Sequence, residues 1–356
     1  VQLPAEWAHP EVEYRGVWFS NRDMLKPKAE IVAKLDQLQR AGFNVLLLDS
    51  WFRGFAAFDG SEVAPQYPEF KGEDVFGWIT REARARGMKV YSWPEYGFYA
   101  YYTKDAKADP SKGPILDAHP ELQCLAVDGS GFIHNKDLGD FYGYCPSNPK
   151  SHELLATVIV ESVVKYSLDG VNLDRIRYPA AEFCHCSYCK EHFKQDTGID
   201  LAAFAPGTPE ARKFLEWRRE QTAKAVAHIR QRLHAARPGL PITAYVVGPF
   251  EMDSKAQGWD LWAKRGLVDQ VAVSMYGADI TKAADRALEL LGGDRSKLIC
   301  AINAELKPDV FLGNVDVARR YTQQGQFTWF AGAVDDADAK ALGEGPYAKP
   351  AKLPAK

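Results

Sequence analysis

The sequence predicts an α/β protein closed into a (β/α)8 TIM barrel, with long loops after strands three and four. Three observations carry this prediction. There are eight short apolar runs of strand type, helical periodicity fills most of the gaps between them, and the run at 169–174 ends in a crowd of charged and ring-bearing residues. Most of the runs are continuous rather than alternating, as parallel strands covered on both faces require.

The first run is 14–19 (YRGVWF), followed by a helical stretch at 27–41 with Ile31, Leu35 and Leu38 on one face and Pro27 in its first turn. Gly42 then leads into a second strand at 43–49, and Gly87, after a helix at 74–86, leads into a third at 88–93. A glycine in that place is the usual left-handed stop between a helix and the next element. Residues 94–149 form a long excursion rich in Tyr, Gly, Pro and Asp, closed by a helix at 151–166 and the fourth strand at 169–174. A second long segment, 175–207, precedes a helix at 208–236. Loops of this length usually carry function or local structure of their own. Strands at 242–248, 269–276, 298–302 and 327–331 follow, with helices at 256–265, 281–291 and 315–324 between them. Eight such units favour a closed barrel over a doubly wound open sheet, which would share the same alternation. We read residues 1–340 as a single barrel and 341–356 (ALGEGPYAKPAKLPAK) as a loose C-terminal tail.

Composition narrows the function. At 356 residues and 46% hydrophobic, the chain can bury a full core. A formal charge of -3 with no basic stripe gives a nucleic-acid partner no electrostatic footprint. No apolar run approaches the roughly 20 residues that span a bilayer. The chain opens on Val1 rather than Met, and we expect an export signal to have been removed ahead of it, which places the protein outside the cytoplasm: secreted, periplasmic or at the cell surface. Motifs for a serine nucleophile elbow, a zinc protease helix and a phosphate-binding loop are absent from the sequence.

Three of the six cysteines stand together in FCHCSYCKEHF, at Cys184, Cys186 and Cys189. Three soft ligands in one short turn suit Zn2+, which takes a fourth to complete a tetrahedral structural site. Cys145, at the end of the neighbouring excursion (YGYCPSNP), is the expected fourth ligand, with His185 and His192 as the other options. One disulfide with the remaining thiols packed is the competing reading, and a redox pair at Cys186 and Cys189 is a weaker one. A closed four-ligand zinc would be structural, since no position is left for water; no cofactor is expected for catalysis.

The run DGVNLDRIRYP (169–179) delivers Asp174 to the exit of the fourth strand. Side chains at the carboxyl ends of barrel strands face the reaction cleft, so Asp174 is the first choice for a catalytic carboxylate. Hydrolysis of a glycosidic bond normally needs two carboxyl groups flanking it. Glu251, after strand five, and Glu305, after strand seven, are the candidate partners, with Glu251 favoured as general acid by its nearness to strand four. Glu95 follows strand three and Asp49 ends strand two. Arg53, Glu95, Arg177 and Asn303 are expected to hydrogen-bond substrate, and Trp93, Tyr178, Tyr276 and Trp329 to stack on sugar rings. Asn172, two residues before Asp174 on the same face, is expected to lie a layer deeper and orient it.

YRGVWF, GFNVLLLDSWFRG, ARGMKVYSW, CPSNP, KYSLDGVNLDRIRYP and DQVAVSMY, in that order over residues 14–276, resemble the glycosyl-hydrolase-like 10 family of (β/α)8 proteins, a group defined by a domain of unknown function. The resemblance implies a glycosidase acting on cell-surface or matrix polysaccharide, with Asp174 as its catalytic carboxylate. CHCSYCKEHF with the upstream Cys145 resembles the zinc knot of family 42 β-galactosidases. That family's glutamate near strand four is replaced here by Asp174, so the resemblance does not extend to β-galactosidase activity. The expected partner is therefore a carbohydrate, and the expected activity glycoside hydrolysis. Two other readings compete with it: a non-catalytic carbohydrate-binding barrel, and a lyase or hydrolase specific for acidic polysaccharide, favoured if Arg53, Arg175 and Arg177 cluster in the cleft.

Overall fold

A computed structural model describes residues 3–354. Eight parallel strands are β1 (Tyr14–Phe19), β2 (Val45–Asp49), β3 (Lys89–Trp93), β4 (Gly170–Leu173), β5 (Ile242–Val246), β6 (Gln270–Ser274), β7 (Leu298–Asn303) and β8 (Gly325–Trp329). Each pairs with the next, and β8 pairs back onto β1 through Tyr14↔Gly325 to Val17↔Thr328, closing the barrel. The outer layer is built from α1 (Lys28–Ala41), α2 (Val75–Ala85), α3 (Pro149–Lys165), α4 (Pro209–Ala236), α5 (Trp259–Lys264), α6 (Thr281–Leu290), α7 (Pro308–Tyr321) and α8 (Asp336–Glu344). Gly42 stops α1 with a φ of 89°, in the left-handed region that a side chain would resist.

Several boundaries differ from the sequence reading by a few residues, and two of the shifts have a clear cause. β8 begins at Gly325, two residues before the apolar run, because its first residues are a glycine and a glutamine that pair with Tyr14 and Arg15. α7 begins at Pro308; its first turns carry Asp309, Gly313 and Asn314, which hide the helical period visible from Val315 onward.

Aromatic rings fill the barrel. Tyr14, Trp18, Tyr91, Trp93 and Phe327 pack inside it with Val45, Leu47 and Ile299. Rings this large fit only where neighbours are small. A Cβ on Gly16 would lie 2.3 Å from the Phe327 ring, and one on Gly170 would lie 2.5 Å from the Tyr91 ring.

The two long loops have structure of their own. Within 94–149, strands Tyr99–Thr103, Phe132–Asn135 and Gly139–Gly143 form an antiparallel sheet with 139–143 at its centre. Within 175–207 lies the helix Ser187–Thr197. The loops meet at a bridge between Ala126 and Phe183 and through the His185 N–H, which donates to the Leu125 carbonyl at 2.7 Å.

The described residues after 340 are packed onto the rest of the chain. Residue 340 lies inside α8, Tyr347 is buried, and Lys352 exchanges backbone hydrogen bonds with Glu11 and Glu13 at 2.8 Å each. No helix among the described residues is long and apolar enough to cross a membrane.

Candidate active site

Alternation along β4 sends Val171 and Leu173 outward to the helices and Asn172 and Asp174 inward. Asn172 is sealed beneath the mouth: its Oδ1 accepts from Trp18 Nε1 at 3.1 Å and its Nδ2 donates to Thr243 Oγ1 at 2.9 Å. Asp174 stands one layer higher and is 2% exposed. Its Oδ2 accepts from Trp93 Nε1 at 2.9 Å, while Oδ1 has no hydrogen-bond partner among the described residues. Burial raises its pKa above the ordinary aspartate value, against the opposing pull of the Arg175 and Arg177 cations and the Trp93 bond.

Two more carboxyl groups lie close by. Asp49, fully buried at the end of β2, accepts from the Trp51 N–H at 3.2 Å through Oδ1, while its Oδ2 has no hydrogen-bond partner among the described residues. Burial, and then the Glu95 charge, push Asp49 well above the usual aspartate range. Glu95 is raised by its own burial, opposed first by Arg175, with the Asp174 charge adding to the rise. The Arg175 Nη2 lies 3.4 Å from Glu95 Oε1.

Arg175 adopts a φ of 47°, and its guanidinium lies 5.0 Å from the Tyr96 ring centre and 5.2 Å from that of Tyr99. The turn is possible because Gly97 passes directly beneath it: a Cβ there would lie 2.0 Å from the Asp174 carbonyl oxygen. Arg177 lies 5.7 Å from the Tyr99 ring centre and has no ion-pair partner among the described residues. Burial works against ionising the Tyr99 phenol, yet Arg177, Lys255 and Arg175 together bring its pKa below the ordinary tyrosine value.

Arg177 also lines a cavity of about 610 Å3 with Tyr245, Phe250, Glu251, Tyr276 and Lys282. Tyr245 and Tyr276 stack at 6.2 Å and 17°, and Tyr276 and Trp329 at 6.2 Å and 27°, so three rings run in a row across the ends of β5, β6 and β8. Trp18 supports this row from below, 5.1 Å from Tyr245 and 5.9 Å from Trp329.

The residues singled out in the sequence therefore divide. Asp174, Trp93, Glu95 and Arg177 come together around β3 and β4, and Glu251, exposed at the cap of the short helix Met252–Lys255, shares a cavity wall with Arg177 and Tyr276. Trp93 is fully buried, and its N–H holds Asp174 rather than offering a ring face. Asn172 lies a layer deeper than the mouth. Tyr178 is turned away and fully buried, its hydroxyl 2.6 Å from Ser147 Oγ beside the cysteines. Arg53 reaches into the excursion, donating to the Tyr102 carbonyl at 2.7 Å with its guanidinium 4.5 Å from the Tyr101 ring centre. Glu305 is exposed beyond β7, where its N–H donates to Asn303 Oδ1 at 2.9 Å. Sequence reasoning missed Trp18, Gly97, Tyr99 and Tyr245; the Gly after WPEY was the one available hint of a tight turn.

The Sγ atoms of Cys145, Cys184, Cys186 and Cys189 are buried and lie within 4.8 Å of one another. Cys145 stands 3.5 Å from Cys189 and 3.6 Å from Cys186. Four thiolates about 2.3 Å from a tetrahedral ion would stand about 3.8 Å apart, whereas a disulfide needs about 2.0 Å. The donor set fits a soft divalent metal, and all six cysteines are free thiols. Neither histidine joins it: the His185 ring nitrogens face the Glu182 and Ala202 carbonyls, and His192 Nδ1 faces that of Tyr188. Burial opposes a Cys184 thiolate, yet hydrogen bonds from Cys124, Cys145, Cys186 and Cys189 hold its pKa well below that of an ordinary thiol.

A closed parallel barrel with clustered carboxyl groups and stacked rings at its carboxyl end has the architecture of glycoside hydrolases. The chain belongs to the glycosyl hydrolase-like 10 family, whose model matches residues 13–304. It is 24% identical over 273 residues to the glycosyl hydrolase DigH of Escherichia coli K12, an alignment that takes in 69% of this chain and 57% of DigH. The chain thus spans little more than half the length of that relative. In fold it is similar to the glycoside hydrolase domain of PgaB (BpsB) from Bordetella bronchiseptica, with a TM-score of 0.70 at 13% identity over 94% of this chain and 98% of that one. It is also similar to the family 42 β-galactosidase Gan42B of G. stearothermophilus, with a TM-score of 0.63 at 14% identity over 94% and 57% of the two chains.

Proposed function

We propose that the protein hydrolyses O-glycosidic bonds of a polysaccharide or oligosaccharide, with Asp174 as its proton-donating carboxyl group and Glu251, on the wall of the cavity that Arg177 lines, as its partner. The observation that carries this reading is the state of Asp174. It is buried, raised in pKa, and fixed by Trp93 through one oxygen while the other is unengaged. A buried carboxyl group whose pKa is raised is suited to protonate a leaving oxygen. Glu251, exposed on the wall shared with Arg177, is placed to act as the base or nucleophile. This reverses the role that sequence proximity suggested for Glu251, and Glu305, outside that wall, is the less favoured partner. The ring row of Tyr245, Tyr276 and Trp329 supports carbohydrate as the ligand. We further propose that the four thiols hold Zn2+. With every ligand supplied by the chain its role is structural: it ties loops 94–149 and 175–207 together behind the segment that carries Asp174 and Arg177.

One observation favours an acidic substrate as a second reading. Arg175 is engaged by Glu95, but Arg177 faces the cavity with its Nε unpartnered among the described residues. The test is a polysaccharide panel, neutral and acidic, with wild type beside Asp174→Asn and Glu251→Gln. Losses of about 10²–10⁴-fold in kcat are expected of each variant. Equal turnover by Asp174→Asn removes that residue from the mechanism, and binding without turnover by wild type leaves a carbohydrate-binding barrel.

A further inference from the structure

Behind the cysteine cluster, on α4, Arg218 is 4% exposed. It makes no ion pair with a carboxylate among the described residues. Its Nη1 donates to the Ala181 carbonyl at 2.7 Å and to that of Phe183, the residue before Cys184. Its Nε has no partner among the described residues, and the guanidinium lies 4.4 Å from the Phe214 ring centre and 5.4 Å from that of Tyr178. A cation sealed in such a place is costly unless negative charge stands nearby. The groups around it lead to the cysteines: the Phe183 carbonyl it holds is joined directly to Cys184, and the Tyr178 ring beneath it bonds through its hydroxyl to Ser147, whose Oγ lies 3.3 Å from Cys189 Sγ.

The charge count of the centre supplies the reason. Four thiolates around a divalent ion carry a net charge of two minus, buried in an apolar cluster with Phe183, Phe193 and Phe214. We propose that Arg218 is the counter-cation of the thiolate centre, neutralising part of that charge while its fork fixes the backbone of the ligand loop. Arg218 is thus a positioning residue for the metal rather than a structural arginine that happens to be buried nearby. The inference rests on the metal reading above.

The full chain is tested with Zn2+ itself, by competition against a chromogenic chelator, in wild type, Arg218→Lys and Arg218→Gln. Both variants retain a donor for the carbonyls, but only lysine retains the charge. Zn2+ affinity is expected to fall about 10–100-fold in Arg218→Gln, the range typical for loss of an outer-shell partner, with Arg218→Lys close to wild type. The melting temperature gained on adding Zn2+ should shrink in Arg218→Gln, whereas a merely structural arginine would lower the apo and metal-loaded forms equally. Should Arg218→Gln fail to fold, Arg218→Lys decides: zinc affinity down by the full 10–100-fold despite the retained charge overturns the proposal. Equal affinity in all three proteins also overturns it and leaves the metal reading standing. A wild type that binds no Zn2+ sinks the metal reading instead.

Discussion

Asp174 is costly to keep where it is, and that cost can be measured. Its folded pKa is raised, chiefly by burial, so the fold favours the neutral form. For such a group the stabilising contribution is present below the unfolded carboxyl pKa, about 3.9, and is lost as pH rises through the raised folded value. Asp174→Asn should therefore melt above wild type at pH 7, and the gap should close as the pH is brought down toward about 3. Thermal melts across that range check it; a gap that is absent or reversed at pH 7 would mean that the arginines, not burial, control the site. Gly97 acts through the same carboxyl group. Gly97→Ala puts a Cβ 2.0 Å from the Asp174 carbonyl at a φ of 45°, and we expect it to cost about 1–3 kcal/mol in a denaturant melt, with kcat falling as the Asp174 turn moves. Asp174 was legible in the sequence because strand alternation and the barrel rule place it together. Gly97 was not, since close approach between two distant segments leaves no local pattern.

The strands were legible as elements because both their faces are apolar, and each occupies the expected place with ends shifted by a few residues. The loop elements were not. The sheet of 99–103, 132–135 and 139–143 mixes tyrosine, glycine and charge, which reads as turn-rich sequence, and part of what packs against it, beside Ile133, comes from the segment after β4. Tyr178 shows the same limit: RIRYP placed it near the cleft, but its hydroxyl contacts Ser147 and its ring faces Arg218. If metal ties these loops, then chelation, or Cys145→Ser, should open them while the barrel survives. Limited proteolysis is expected to cut within 94–149 or 175–207 after chelation, with far-UV circular dichroism near its starting value. Unchanged protease resistance in a verified metal-free sample would show that packing alone holds the loops.

At the scale of the whole molecule, the end of the barrel opposite the cleft must also be closed, and the chain does this with its C-terminal segment. Glu13, 2% exposed, accepts from Arg15 Nε at 2.7 Å and Arg319 Nε at 2.8 Å. Arg15 Nη1 continues to the carbonyls of Tyr347 and Lys349, and the Tyr347 hydroxyl accepts from Gln326 Nε2 of β8 at 2.6 Å. One segment thus satisfies buried donors from β1 and from β8, the two strands whose pairing completes the barrel. GEGPYAKPAK read as a loose tail because most of what it offers here is backbone carbonyl oxygen, which no sequence pattern reveals. The single strong cue was Tyr347, a ring edge-on to Phe43 at 5.7 Å. Tyr347→Ala is expected to cost about 3–5 kcal/mol in a urea melt, the range of a buried aromatic truncation. A surface tail would give a change within about 0.5 kcal/mol. Deleting the chain from Gly345 onward should cost at least as much, because Arg15 also loses two acceptors while remaining buried. A deletion with wild-type stability would mean that β1 and β8 close the barrel without it.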